Sequence, residues 1–198
     1  MWVVYYIEEF IMRKKLTVGL LGGSFNPPHY GHLYISQEAI KRLGIDRVWW
    51  LVVPCNPLKF DGGYSIEDRV SLSQQLVYSD IRVNIVRVKE CYSYNVVSRL
   101  CKEFSNVKFV WLMGDDNLFS FHYWYRWKDF CKLLPIVVFE RGKNVCQALN
   151  TPFATYMRNV YFTNCKLLLN CRYGWMFVRL RPCNISSSQI RGYALNKI

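Results

Sequence analysis

An eleven-residue segment near the start of the chain, Gly22 to His32, limits the possible folds more than any other feature. It follows an apolar run, residues 16–21, that is typical of a buried strand, and it precedes a helical pattern over residues 33–43. A glycine turn between a strand and a helix lets backbone N–H groups approach phosphate oxygens, and the helix N-terminus adds about half a positive charge. Two of the chain's three histidines, His29 and His32, stand at the helix entrance. We predict a polyphosphate site in which they stabilise charge on an attacked phosphoryl group.

Apolar, β-rich runs alternate with helical patterns along the rest of the chain. The predicted strands are residues 16–21, 47–53, 81–88, 108–113, 136–139, 160–162 and 176–180, and the predicted helices are 33–43, 66–77 and 96–104. This alternation predicts an α/β fold, a Rossmann-like, doubly wound and mainly parallel sheet with helices on both faces, in a single domain. Ligands bind such sheets beyond the carboxyl ends of the strands. Ser65 and Asp68 predict a helix N-terminus, and Gly44 predicts a helix C-terminus.

The charge balance of the chain favours acidic partners. Its formal net charge is +12, which suits nucleotides, nucleic acid or membrane surfaces. The basic residues are scattered, and the longest basic block is Arg13-Lys14-Lys15. This distribution favours an anionic small-molecule site over a nucleic-acid surface, so we predict no nucleic-acid partner. No run approaches the ~20 apolar residues that a membrane-spanning helix needs, so we predict no membrane partner either.

The eight cysteines contain no C-x-x-C pair, and none has the spacing to histidine that zinc sites use. Most of them stand beside apolar segments. We therefore predict reduced core thiols in a cytoplasmic protein and no structural metal.

A second candidate site lies near the end of the chain, at Ile185-Ser186-Ser187-Ser188-Gln189-Ile190-Arg191. Serines before an apolar helical stretch are typical of a helix N-cap. Three serines and a following arginine also suit a phosphate, since the guanidinium group offers a permanent, forked charge. Taken alone, this segment is consistent with either role.

Together the two segments resemble the nucleotidyltransferase superfamily that carries an HxGH motif and a late ISSTxIR motif. The double glycine and Pro27-Pro28 before His29 are most similar to its bacterial nicotinate-nucleotide adenylyltransferase branch. Further similar segments follow in the family's order: Asn56-Pro57-Leu58-Lys59, Ser93-Tyr94-Asn95, Gly114-Asp115-Asp116 with Trp124, and Phe139-Glu140-Arg141. The chain departs from the family pattern at four positions, Ser24, Asn26, Asn95 and Ser188, and its 54–60 loop is short.

The resemblance implies that the adenylyl group of ATP is transferred to nicotinate mononucleotide, giving deamido-NAD and pyrophosphate. The mononucleotide phosphate would attack the α-phosphorus directly and in line, so no catalytic base is required. Mg²⁺ would be carried on the ATP phosphates, because the sequence shows no dedicated metal cage. Residues 14–198 would form the nucleotidyltransferase domain. Residues 1–13 would be an extension, either an artefact of the start site, with Met12 as the true start, or an additional packed element.

The resemblance also assigns roles to residues. It implies catalytic roles for His29, His32 and Arg191, ATP contacts by Gly22, Gly23, Ser24, Phe25, Gly114, Asp116, Ile185, Ser187 and Ser188, and mononucleotide contacts by Asn56, Lys59, Tyr94, Asn95, Trp124 and Arg141. Trp124 would stack on the nicotinate ring, although a core tryptophan is the more common outcome in an aromatic stretch. We assign Trp111 to the core and interpret His122 as an exposed or hydrogen-bonded loop histidine.

Several alternatives stay open at this point. A phosphopantetheine adenylyltransferase usually has one glycine and a threonine in place of the first histidine, and a cytidylyltransferase is disfavoured by the same residues. A class I aminoacyl-tRNA synthetase would need more chain for its tRNA-binding domains. A basic nucleotide- or RNA-binding module explains the charge but not the two spaced motifs. The oligomeric state and the choice between nicotinate and nicotinamide mononucleotide are not determined by the sequence.

Overall fold

The computed structural model describes residues 16–55, 63–140, 145–181, 187 and 190. The predicted extension, residues 1–13, lies outside these ranges. The apolar segments form a six-stranded sheet in the order β3-β2-β1-β4-β5-β6, in which every neighbouring pair is parallel. The strands are β1 (Thr17–Gly23), β2 (Arg47–Val52), β3 (Val83–Arg87), β4 (Lys108–Gly114), β5 (Pro135–Phe139) and β6 (Gly174–Val178).

Helices connect the strands and cover both faces of the sheet. They are α1 (Tyr30–Leu43), α2 (Ile66–Val77), α3 (Ser93–Glu103), α4 (Trp127–Phe130), α5 (Val145–Leu149), α6 (Pro152–Tyr156) and α7 (Cys165–Asn170), with short 3₁₀ turns at Asp115–Asn117, Phe121–Tyr123 and Arg158–Val160. One core cluster includes residues of α1, α2 and α7, and a second, on the opposite face, includes residues of α3, α4 and α6. The prediction of a doubly wound parallel α/β fold is confirmed.

The strands are apolar along their length because helices cover the sheet on both sides. In β5 every residue is buried, and in β2 only Arg47 is not. β1 lies at the centre, where Leu20 pairs with Trp49 on β2 and with Trp111 on β4. The strand order reverses between β1 and β4, so the carboxyl ends of these two strands form the crevice in which such sheets bind ligands.

The boundaries of the helices show how the predicted caps work. α1 ends at Gly44, whose φ of 66° is the left-handed conformation that favours glycine, as predicted. α2 begins after Ser65, whose side chain accepts the Asp68 N–H, also as predicted. No described helix is long and apolar enough to cross a membrane.

One predicted strand is wrong. Residues 160–162 form no strand: a 3₁₀ turn at Arg158–Val160 is followed by a single bridge between Tyr161 and Trp175. The run is too short, and β6 has only this one bridge to it beyond its pairing with β5. β3 is likewise shorter than predicted, since Ile81 is exposed and the strand begins at Val83.

Candidate active site

The candidate site lies at the carboxyl edge of the sheet, where the β1–α1 connection meets the end of β4. The glycine turn predicted at Gly22 and Gly23 is not a turn, because both residues continue β1 and pair with Leu51 and Val52. A Cβ atom at Gly22 would overlap Cη2 of Trp111, so packing requires this glycine. The turn itself falls on Ser24 to Pro28, and it carries the chain to the first turn of α1.

His29 and His32 build the N-terminus of α1 together. His29 is the N-cap residue, and its Nδ1 accepts the Gly31 N–H at 3.1 Å. His32 lies one turn into the helix, and its Nδ1 accepts the His29 N–H at 3.2 Å. The arrangement is a capping box, usually made by serine or threonine with glutamate, made here by two histidines. The ring centroids lie 3.8 Å apart. α1 therefore begins three residues earlier than predicted, because the sequence pattern gave no sign that a histidine caps it.

The capping bonds determine which nitrogen of each ring carries the proton. An Nδ1 atom that accepts an N–H uses its lone pair, so the proton of the neutral imidazole is on Nε2. Both histidines are thus fixed as Nε2–H donors at the positive end of a fourteen-residue helix. Donors of this kind suit phosphate oxygens.

An aromatic stack packs against the ring of His32. Phe25 is 1% exposed, stacks on Trp50 with centroids 4.9 Å apart, and contacts the His32 ring at 4.7 Å. Trp50 in turn donates from Nε1 to Ser36 Oγ on α1. Phe25 adopts a left-handed φ of 48°, which is uncommon for a bulky residue and which the surrounding packing maintains.

Asn26, one of the four departures from the resembled family pattern, joins this turn to the start of α2. Its side chain is 3% exposed, and its Oδ1 accepts the Tyr64 N–H at 3.1 Å. Gly63 passes so close that a Cβ atom there would lie 2.7 Å from the same oxygen. The amide keeps the acceptor oxygen and adds no negative charge beside the predicted phosphate site.

Arg69 is a site residue that the sequence analysis missed. Its side chain is buried, 4% exposed, and it donates to three backbone carbonyls. These are Ser24 O at 2.6 Å, Val53 O at 2.9 Å and Pro54 O at 2.9 Å. An arginine in an amphipathic helix is normally exposed to solvent, so the sequence gave no reason to place Arg69 in the site.

The late motif reaches the same turn. Ser187 Oγ donates to Pro27 O at 2.9 Å, so the two motifs, separated by most of the chain, meet at the β1–α1 connection. Of the other residues predicted from this motif, Ile185, Ser188 and Arg191 lie outside the described residues.

The end of β4 provides the second wall of the crevice. Gly114 is buried, Asp115 is completely buried, and Asp116 is exposed. The nucleotide contacts of Gly114 and Asp116 stay predictions. Trp124 is partly buried: it stacks on Phe121 at 4.7 Å and meets the edge of Trp111 at 6.1 Å.

The sequence predicts structural roles for Trp111, on β4, and for His122, in a 3₁₀ turn that follows it. Trp111 is 1% exposed and belongs to the core, as predicted. His122 is only partly exposed, and its buried Nδ1 has no hydrogen-bond partner among the described residues, which the sequence interpretation did not anticipate. Its ring packs on Tyr123, at 3.9 Å between centroids.

The end of β3 carries the predicted pyridine-binding residues. Tyr94 and Asn95 lie in the first turn of α3, and Tyr94 is partly buried. The guanidinium carbon of Arg126 lies 4.3 Å from the centroid of the Tyr94 ring, and Asp129 holds Arg126 at 2.8 Å. This hydrogen bond to Asp129 is the main reason that the pKa of Arg126 is raised. Asn56, Lys59 and Arg141, predicted to bind the mononucleotide, lie outside the described residues.

The prediction that the cysteines are reduced thiols is wrong for two of them. Cys55 and Cys91 form a disulfide. They follow β2 and β3, which are neighbours in the sheet, so the two connections leave the sheet side by side. Cys101, Cys131, Cys165 and Cys171 are free thiols.

The part of the chain that the structure describes contains no group of three His, Cys, Asp or Glu side chains able to hold a metal ion. The donors placed at the β1–α1 turn are the ring N–H groups of His29 and His32, and an N–H group binds an anion through its proton.

Comparison with known proteins links this site to a family. A family model described as cytidylyltransferase-like matches residues 20–193. A protein of Parvibaculum lavamentivorans named "Probable nicotinate-nucleotide adenylyltransferase" is 42% identical over 154 residues, which cover 76% of this chain and 77% of the relative. A protein of Cereibacter sphaeroides with the same name is 36% identical over 183 residues, covering 89% of this chain and 96% of the relative.

Solved structures agree on the fold. The Plasmodium falciparum nicotinic acid mononucleotide adenylyltransferase complexed with NaAD superimposes with a TM-score of 0.68 at 15% identity, covering 90% of this chain and 83% of that one. The same enzyme complexed with APC gives a TM-score of 0.67 at 14% identity with the same coverage.

Proposed function

This chain belongs to the nicotinate-nucleotide adenylyltransferases of the cytidylyltransferase-like family, and on that premise we propose how its residues carry out the transfer. The enzyme moves the adenylyl group of ATP to nicotinate mononucleotide, with deamido-NAD and pyrophosphate as products, a step of NAD biosynthesis. The observation that carries the mechanism is the histidine capping box, which leaves Nε2 as the N–H donor of both rings. Ser187 of the late motif is hydrogen-bonded to Pro27 in the turn that leads into this box.

The reaction does not require a proton to be removed from the attacking phosphate. An oxygen of the mononucleotide phosphate, already ionised, forms a bond to the α-phosphorus of ATP. The bond from that phosphorus to the oxygen bridging to the β-phosphate breaks, and the electron pair leaves with pyrophosphate. No proton has to be removed from the nucleophile, so catalysis consists of alignment and charge stabilisation.

We assign the charge stabilisation to the N-terminus of α1. His29 and His32 would donate from Nε2 to phosphate oxygens as charge moves toward the leaving pyrophosphate, and the helix dipole adds to their effect. Gly22, Gly23, Ser24 and Phe25 would lie against ATP, and Gly114 and Asp116 would face its nucleoside. Ser187, with Ile185, Ser188 and Arg191, would hold the triphosphate from the other side.

Mg²⁺ would enter with ATP. This ion prefers oxygen ligands and commonly remains on substrate phosphates with several of its waters. The N–H donors of His29 and His32 suit a metal-bound triphosphate, since they would contact phosphate oxygens and leave the ion to the substrate. When bound, Mg²⁺ neutralises part of the charge on the phosphates.

Nicotinate mononucleotide would occupy the part of the crevice that lies at the carboxyl ends of β2 and β3, next to Trp124. The nicotinate ring would stack on the indole, and backbone N–H groups at Tyr94 and Asn95 would bind its carboxylate. Asn56, Lys59 and Arg141 would contact the mononucleotide and offset its charge. We propose that the enzyme acts in the cytoplasm, on these two nucleotides and without a nucleic-acid partner.

The function is tested by pyrophosphate release with ATP, Mg²⁺ and nicotinate mononucleotide, with nicotinamide mononucleotide and phosphopantetheine in parallel. We expect rapid release with nicotinate mononucleotide and much slower release with the other two. Release that depends on phosphopantetheine would move the chain to the sister transferases. RNA binding that falls steeply with salt, without turnover, would support a binding module instead.

Replacing Trp124 with alanine is expected to raise the KM for nicotinate mononucleotide about 5- to 150-fold, because stacking of a base on an aromatic ring contributes about 1–3 kcal/mol. The KM for ATP should change little. Steady-state kinetics with each substrate varied in turn measures both constants.

Trp127→Ala is the matched control for this variant. Trp127 is also a partly buried tryptophan of the same segment, but it packs against Tyr156 at 5.1 Å on α6. It should leave the KM for nicotinate mononucleotide near the wild-type value. Equal increases in the two variants would contradict a stacking role for Trp124.

A further inference from the structure

Arg69 is a buried cation that is hydrogen-bonded to the β1–α1 turn. It comes from α2, yet it donates to a carbonyl of that turn, Ser24 O, and to two carbonyls at the end of β2, Val53 O and Pro54 O. Both connections belong to the edge of the sheet where the substrates would meet. One planar guanidinium therefore fixes the relative position of two loops, and its fork of N–H donors matches three carbonyls at once.

The hydrogen bond to Ser24 also fixes the direction of the next amide. The peptide bond between Ser24 and Phe25 is trans, since the only cis bond in the described residues precedes Pro27. In a trans peptide the C=O and the following N–H point in opposite directions. With the Ser24 carbonyl held on Arg69 at 2.6 Å, the Phe25 N–H is directed away from α2.

The Phe25 N–H donates no hydrogen bond to any described residue. No carbonyl or side chain of the described residues accepts from it, although neighbouring backbone groups are paired, such as Val53 N–H with Gly23 O. Phe25 itself holds the left-handed φ of 48° that this peptide orientation accompanies, and its ring is locked between Trp50 and His32. An oriented backbone N–H beside the histidine donors is a ready anion contact.

We propose that Arg69 is a positioning residue for ATP: it holds the Ser24–Phe25 peptide so that the Phe25 N–H donates to a phosphate oxygen, and its buried charge strengthens that donor. This inference rests on the proposed function, which places the ATP phosphates against Phe25. Arg69 does not touch the nucleotide. Its effect is transmitted through one rigid peptide group.

Comparing the binding of ATP with that of adenosine tests the proposal, because adenosine lacks the phosphates and keeps the nucleoside contacts. Arg69→Met keeps an apolar stem of similar length and removes every donor. We expect isothermal titration to give ATP binding about 10- to 100-fold weaker, the effect of one hydrogen bond to a charged group, with adenosine binding unchanged. Equal losses for ATP and adenosine, or no loss for ATP, would overturn the inference.

Two further variants keep the result interpretable. Val77→Ala, at the buried end of the same helix, destabilises α2 far from the turn and should leave ATP binding intact. If it weakened ATP binding as much as Arg69→Met does, stability alone would explain the loss and the inference would fail. Arg69→Lys retains the charge but cannot hold the three carbonyls with one planar fork, so it should show a smaller, still ATP-selective loss. If the methionine variant does not fold, the lysine variant decides the test.

The same samples separate this inference from the proposed function. Absence of pyrophosphate release by the wild-type chain, with ATP and nicotinate mononucleotide, counts against the proposed function. Normal release by the wild type together with normal ATP binding by Arg69→Lys counts against the role of Arg69 alone.

Discussion

Replacing His32 with alanine is expected to lower kcat/KM for adenylyl transfer about 10²- to 10³-fold, the usual effect of removing one oriented donor from developing charge. The wild-type side chain is fixed by its capping bond to the His29 N–H and by contact with Phe25, so its Nε2–H needs no rearrangement when the substrates bind. The same substitution removes a cap interaction, which costs about 1 kcal/mol of stability. Pyrophosphate release and urea unfolding measure the two effects.

His32→Glu separates the two roles of this residue. A glutamate at the third helical position is the usual partner in a capping box, since its carboxylate accepts the N–H of the N-cap residue. The variant should therefore unfold at about the wild-type urea concentration while its activity falls at least as far as that of the alanine variant. Activity close to wild type in the glutamate variant would mean that His32 serves the helix and not the phosphates.

Loss of the disulfide between Cys55 and Cys91 is expected to lower the stability of the protein by about 3–4 kcal/mol. The bond closes a loop of 36 residues, and in the chain-entropy account such a crosslink stabilises by restricting the unfolded chain. For a domain of this size the change corresponds to about 6 to 16 °C in Tm. Thermal unfolding of the oxidised wild type, with and without a thiol reductant, measures it.

The paired variants Cys55→Ser and Cys91→Ser should each match the reduced wild type and lose all sensitivity to reductant. Cys101→Ser is the control, because Cys101 is a free thiol on α3 whose pKa is raised by burial. It should keep the full response to reductant. Cys131 is a poorer target for any thiol reagent, since burial raises its pKa to about 12. A wild-type Tm that does not change on reduction would refute the expected contribution.

The sheet and the place of the site could be predicted because they rest on local patterns. Runs such as 47–53 and 108–113 are long and apolar enough to be strands buried on both faces, and the two motifs stand where strands end. The start of α1 could not be predicted, because His29 and His32 were interpreted only as ligand contacts. In the structure they also cap the helix. The capping role and the phosphate role use different nitrogens of the same ring.

Arg69 and the Cys55–Cys91 bond escaped prediction for a different reason. Both depend on which strand lies beside which: Arg69 bonds the connections that follow β1 and β2, and the cysteines meet only because β2 and β3 are neighbours. Periodicity along the chain carries no such information. The short helices α4 to α7 were missed because four to six residues are too few to establish a helical period.

During synthesis, β1 leaves the ribosome long before β4, the strand that pairs with its second edge. β2 follows directly and pairs with β1 through Leu20 and Trp49, and β3 then pairs with β2. Among the described strands, the other edge of β1, around Leu21, finds its partner only when Leu112 of β4 has been made. An apolar strand with an unpaired edge is a template for association with another chain. The nascent protein therefore exposes an aggregation-prone edge on the strand that leads into the phosphate-binding turn, and the crevice is complete only after β4 has covered it.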